Sequence, residues 1–189
     1  GIADAFNNFS DAIESGTSPL VVAQQSLQAT WRIIFNGNGY APEWPIEAAK
    51  RGLVNIQSGV EACQALVEEK NLALFERMGV MSREETAARA EAMHDQYAGM
   101  VEIELKVMIE MIQRKCVPAC KAASLEKSVA SGLEKGAAEL EKALQAAAAA
   151  STPYDTAKVA RTARLETMVN VRKLCDAAEK LVPPSLWPI

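Results

Sequence analysis

The chain has 189 residues, 49% of them hydrophobic but only 5% aromatic, and carries a net charge of −4. That length can bury a sizeable core as one domain or a large part of one, and the apolar content excludes wholesale disorder. The acidic balance offers no general attraction to nucleic-acid phosphates or anionic lipid, and no apolar run approaches the ~20 residues of a membrane-crossing helix. Strong helix formers dominate and β-branched residues are thinly spread, which predicts an all-α fold. No basic-then-apolar leader opens the chain and it does not start with Met, as expected of an excised or processed segment.

Ile2, Phe6, Phe9 and Ile13 recur at helical spacing, and Gly16 closes this first helix. Ser18-Pro19 starts a second, running through Val22, Leu27 and Trp31. Ile33-Ile34-Phe35 reads as a last turn or a short extended piece. Two Asn-Gly pairs follow, in Asn36-Gly37-Asn38-Gly39-Tyr40, and demand positive φ angles or a tight turn. Pro42-Glu43-Trp44 opens a short helix that Gly52 ends, Ser58 opens another, and a further one through Leu72 and Phe75 stops at Gly79.

From Ser82 the pattern lengthens. Ser82 and Glu85 form a capping box, and nothing breaks the helix they start until Pro118, a reach of ~54 Å for ~36 residues. Met93, Tyr97, Met100, Glu104, Val107 and Met111 line one face, while Val101, Ile103, Leu105, Met108, Ile109 and Ile112 make other faces apolar, so contact from several sides is expected. The methionines read as core. Leu125, Val129, Leu133, Leu140 and Leu144 mark the next helix, with Gly136 and Ala137 leaving room for close approach. Ser151-Thr152-Pro153 breaks it, and a last helix carries Leu165, Met168, Cys175, Ala178 and Val182 to Pro183-Pro184, after which Trp187 packs back. The expected organisation is short helices and shaped loops over residues 1–81, then a long antiparallel three-helix bundle over 82–189 with an extended hairpin at about 123–182.

Few residues invite chemistry. The single histidine, His94, lacks the further histidines a metal site needs, so a surface or boundary side chain is expected. Cys116 and Cys120 share a helix face without matching ligands, and the four cysteines read as thiols in a reducing compartment, cytosol or an organelle stroma. No serine or cysteine stands in a glycine-flanked elbow, and Asn36–Gly39 lacks the ending of a phosphate loop. Lys158, Arg161, Arg164, Arg172 and Lys173 suggest a solvated face or an inter-subunit contact rather than a nucleic-acid surface. No catalytic, cofactor-binding or metal-ligating residue is therefore expected in this chain.

One stretch is more specific. Trp31-Arg32-Ile33-Ile34-Phe35-Asn36-Gly37-Asn38-Gly39-Tyr40, then Glu43-Trp44, Glu47-Ala48 and Lys50-Arg51-Gly52-Leu53, closely resembles the C-terminal region of type III glutamine synthetases. The resemblance continues in order through Leu72–Glu76, Gly79–Ser82, Tyr97, Val101, Ile103, Glu104 and Val117-Pro118-Ala119, and ends at Leu186-Trp187-Pro188. It implies a parent enzyme joining glutamate and ammonia with ATP and a divalent metal, expected to be magnesium, in a catalytic domain upstream. It also implies ring-based homo-oligomers, with that domain of the same polypeptide and neighbouring subunits as partners, in the cytoplasm or, in a eukaryote, an organelle stroma. Neither nucleic acid nor membrane is an expected partner. Asn36, Gly37, Asn38, Gly39, Tyr40 and Trp44 are the candidate contact loop toward those partners. The rival expectation is a stand-alone helical scaffold built from the same region.

Overall fold

In a computed structural model, described here over residues 1–188, every regular element is helical. The chain divides into two compact units, Gly1–Ile56 and a second beginning at Gln57, so the change from short to long helices near residue 82 lies within the second.

The first unit holds α1 (Ile2–Glu14), α2 (Pro19–Thr30), a 3₁₀ turn (Trp31–Ile33) and α3 (Glu43–Lys50). The ambiguous apolar run resolves as both readings at once: the 3₁₀ turn ends the helix, and Ile34 is extended at φ −83°, ψ 119°. Gly52 follows α3 at φ 70°, a left-handed conformation in which Leu53 N–H reaches back to the Ala48 carbonyl, closing the helix as its sequence anticipates.

The second unit begins with α4 (Gly59–Ala65), whose Ser58 side chain caps the Val60 amide, and α5 (Glu69–Arg77). Then α6 (Arg83–Met111) starts at the capping box: Ser82 Oγ accepts from Glu85 N–H, and Glu85 Oε2 accepts from Ser82 N–H at 2.7 Å. Pro118 does not end this helix, contrary to expectation. A π turn at Ile112–Cys116, with Val117 N–H bonded five residues back to the Ile112 carbonyl, precedes the proline and carries the helix on as α7 (Val117–Ala122). A proline removes one donor and crowds the carbonyl four residues earlier; the wider turn accommodates both and lets the helix continue. Ser124, at φ 54°, makes the turn into α8 (Lys127–Ala148). The return limb is α9 (Pro153–Thr162), a second π turn (Ala163–Thr167) and α10 (Met168–Glu179).

The core is a single cluster in this bundle. Val101, Leu105, Ile109 and Ile112 from the long helix meet Leu133, Ala137 and Leu140 of α8, and Ala160, Ala163, Val171 and Ala178 of the return limb, with Trp187 packed against it. Gly136 of α8 packs closely on α10: a Cβ there would lie 3.1 Å from Val171 Cγ1. The methionine expectation is corrected in part. Met108 packs against the core, but Met93, Met100 and Met111 stay exposed, as do Ile103 and Val107, because Val101, Leu105 and Ile109 form the stripe that α8 and α9 cover.

All four cysteines are free thiols. Burial, followed by the neighbouring Cys116 thiol, pushes Cys175 up to about 11, and burial also raises Cys116 and Cys120. The thiolate is the reactive form, so at pH 8 these three should resist iodoacetamide while half-buried Cys63 is alkylated. Peptide mass spectrometry after brief labelling checks this; equal labelling of Cys175 and Cys63 would contradict it.

Candidate contact loop

The loop from Ile34 to Tyr40 is held by α3. Phe35 stacks on Trp44, with ring centroids 4.3 Å apart and planes 28° from parallel. The Arg51 guanidinium lies 5.6 Å from the Phe35 centroid and 5.9 Å from that of Trp44. Its position is fixed at both ends of the fork: Nη1 donates to the Ile34 carbonyl at 2.7 Å, and Nε donates to Glu47 Oε1 at 2.7 Å. Glu47 and Arg51 are one helical turn apart, so α3 presents the pair on one face beside Trp44. A planar cation with five donors can stack and bridge at once, which a lysine cannot do.

Gly37 is needed for close approach, not for a left-handed backbone. A Cβ at this position would sit 2.4 Å from Phe35 Cζ and 2.7 Å from Cε1, inside the stacked ring. Neither Gly37 nor Gly39 has positive φ; of the two expectations for the Asn-Gly pairs, the tight turn is the one realised. Asn38 makes that turn, its Oδ1 accepting from Tyr40 N–H at 3.0 Å and its carbonyl from Ala41 N–H at 3.1 Å. Gly39 has open space where a Cβ would go, and Tyr40 is 100% exposed. The structure thus joins Gly37 and Trp44 through Phe35 and leaves Asn36, Gly39 and Tyr40 facing outward. Phe35, Glu47 and Arg51 complete the cluster. The Glu47/Arg51 spacing was a visible signal for them, but the ring they serve could be assigned only in three dimensions.

Around this cluster the first unit is short of core. Val22 and Ala48 are its buried hydrophobics, while Ile2, Phe6, Leu20, Trp31, Ile33, Ile46 and Val54 stand more than half exposed.

In the second unit, His94 is a correction to the sequence reading. It is 2% exposed, its Nε2 lies 3.1 Å from the Val60 carbonyl, and its ring packs 5.2 Å from Tyr154. The basic stretch is largely paired within the chain: Arg161 with Glu61 at 2.7 Å, Arg164 with Glu104 at 3.0 Å, Lys158 with Asp155 and Arg172 with Asp176. Among the described residues no three His, Cys, Asp or Glu side chains converge to hold a metal ion, and no described helix is long and apolar enough to cross a membrane.

Comparison with known proteins agrees with the motif. The family model for the glutamine synthetase C-terminal domain matches residues 20–135. A glutamine synthetase of Butyrivibrio fibrisolvens is 31% identical over 86% of this chain and 27% of its own length. The type-3 glutamine synthetase of Dictyostelium discoideum is 34% identical over 48% of the chain and 12% of its own, and a glutamine synthetase of Bacteroides fragilis is 31% identical over 51% and 13%. The chain thus spans about a quarter, or less, of the length of these relatives. With the family model covering more than half of it, the chain belongs to the glutamine synthetase C-terminal domain family.

Proposed function

We propose that this chain is the C-terminal helical region of a type III glutamine synthetase, an ATP-dependent glutamate–ammonia ligase of nitrogen assimilation. Within that enzyme it is non-catalytic and serves subunit packing, with oligomer assembly or its regulation as the outcome. ATP and the divalent metal are assigned to the catalytic portion of the same polypeptide, and the setting is cytoplasmic.

The observation that carries this reading is the first unit. Ordering a residue costs about 1–2 kcal/mol of backbone entropy, and apolar burial returns roughly 25 cal/mol per Å². Fifty-six residues that bury Val22 and Ala48 while exposing Ile2, Phe6, Trp31 and Val54 are far from that balance, so a cover supplied by the parent enzyme accounts for their apolar faces. The second unit has its own core, which favours one alternative, a stand-alone helical scaffold.

Two measurements test the proposal. An antibody raised against this chain should detect, in the source cells, a polypeptide several times heavier than 20.4 kDa; a band at that mass would hand the case to the scaffold. In the heavier polypeptide Val54→Glu, at a position 83% exposed here, should shift light-scattering mass toward smaller assemblies. Unchanged assembly would reject the packing role.

A further inference from the structure

The long helix α6 is apolar on two sides, and the chain's own helices cover one of them. Val101, Leu105 and Ile109 lie inside, under α8 and α9. On the outer side Met100, Ile103, Val107 and Met111 are between 46% and 64% exposed. Their intervals of three, four and four residues set them in one strip, about 16 Å long at 1.5 Å per residue. Toward the helix N-terminus α4 supplies a cover, with Cys63 3.9 Å from Met93 and Glu61 paired to Arg161 of α9 at 2.7 Å. We propose that the uncovered strip is the seat of a second copy of this chain, the two α6 helices packing antiparallel about a two-fold axis beside Leu105.

The spacing of the strip selects that occupant. Ile103 and Val107 stand two residues either side of Leu105, while Met100 lies five residues before it and Met111 six after. Turned end for end, the strip therefore matches itself. Ile103 meets Val107 of the second copy, and Met100 meets its Met111, each contact occurring twice. A face that pairs with itself in this way closes after two copies and leaves no apolar end to propagate.

The charges on the same side set the direction. Glu110 and Arg114 are joined to each other at 2.8 Å. A parallel pair would bring each of them against its own counterpart, and like charges facing across helices repel. The antiparallel pair instead sets Glu110 near Met100 and Arg114 near Gln96, so the ion pair is kept and no like charges meet. The inference rests on the packing role proposed above, to which it adds a partner and a second face.

Disulfide trapping in the intact protein tests both partner and direction. The background is Cys63→Ser, which removes the half-buried native thiol. Chains carrying Met100→Cys together with Met111→Cys should form a covalent dimer of twice the chain mass under diamide. The two introduced thiols cannot join within one chain, because eleven residues of helix hold them about 16 Å apart. Either substitution alone should give little dimer, since its two copies lie about 15 Å or more apart across the axis. Adding Ile103→Glu should abolish the dimer and leave helical circular dichroism unchanged, position 103 being 64% exposed. No dimer from the double variant would overturn the proposal. So would an equal yield from Met100→Cys alone, the mark of a parallel or random encounter, or a dimer that survives Ile103→Glu. The first-unit role is read separately: if the dimer is absent while Val54→Glu still shrinks the assembly, only the pairing of α6 fails. If the dimer forms while Val54→Glu changes nothing, the pairing stands and the packing role of the first unit fails.

Discussion

Leu140→Ala should destabilise the helical bundle by about 2–5 kcal/mol, the range for removing a fully buried leucine from a packed core. Leu140 is 0% exposed and belongs to the cluster that joins α6, α8 and the α9–α10 limb. The upper part of that range is expected because this core has little freedom to collapse. Much of its lining is alanine, at Ala130, Ala137, Ala160 and Ala163, and where Gly136 faces Val171 even one added carbon would lie 3.1 Å from the valine side chain. Neighbours without side-chain length cannot swing into a vacated volume, so the cavity stays open. Leu165→Ala is the internal control. At 56% exposed it should change stability by no more than about 0.5 kcal/mol. Urea unfolding followed by helical circular dichroism reads both: the Leu140→Ala midpoint should fall by about 1 M or more with an unchanged slope. Equal midpoints for the two variants would show that the cluster is not what holds the bundle.

Local rules carried much of this fold. The Ser82/Glu85 box, the helix stops at Gly52 and Gly79, and the leucine repeat of α8 each act within one or two turns, so composition and spacing disclose them. What stayed hidden depends on partners distant in sequence. His94 is buried because Val60, thirty-four residues earlier, offers a carbonyl and Tyr154 covers its ring; nothing beside it in the chain announces either. The long helix is apolar on two faces, and its sequence cannot say which stripe α8 and α9 will choose. The π turn before Pro118 is similar: a proline signals a break, whereas packing on both sides of it rewards continuation. At the contact loop, Gly37 and Trp44 were legible as motif members, but the reason for each is Phe35, and the clamp on Phe35 is Arg51.

That clamp makes the two loop glycines unequal, although the motif presents them alike. Gly37→Val should expel Phe35 from its stack, since even the first added carbon lies 2.4 Å from the ring. The ring cannot move aside at little cost: it rests on Trp44, and Arg51 lies close to both rings. Overpacking of about 1–3 kcal/mol is expected, with up to about 1.5 kcal/mol of ring stacking and about 0.5–1 kcal/mol of cation–π attraction lost in addition. Gly39→Val meets open space with no left-handed backbone to strain, and should resemble the parent. Near-ultraviolet circular dichroism of the intact protein reports the Phe35–Trp44 environment, and light scattering reports assembly. Loss of the aromatic signal and of assembly in Gly37→Val alone would tie the packing role to the shape of this cluster. If Gly37→Val loses the stack yet assembles normally, the loop is a local brace and the contact surface lies elsewhere on the first unit. If both variants fail alike, the exposed turn at Gly39 and Tyr40 is itself what the partner touches, and the stack behind it serves only to present that turn.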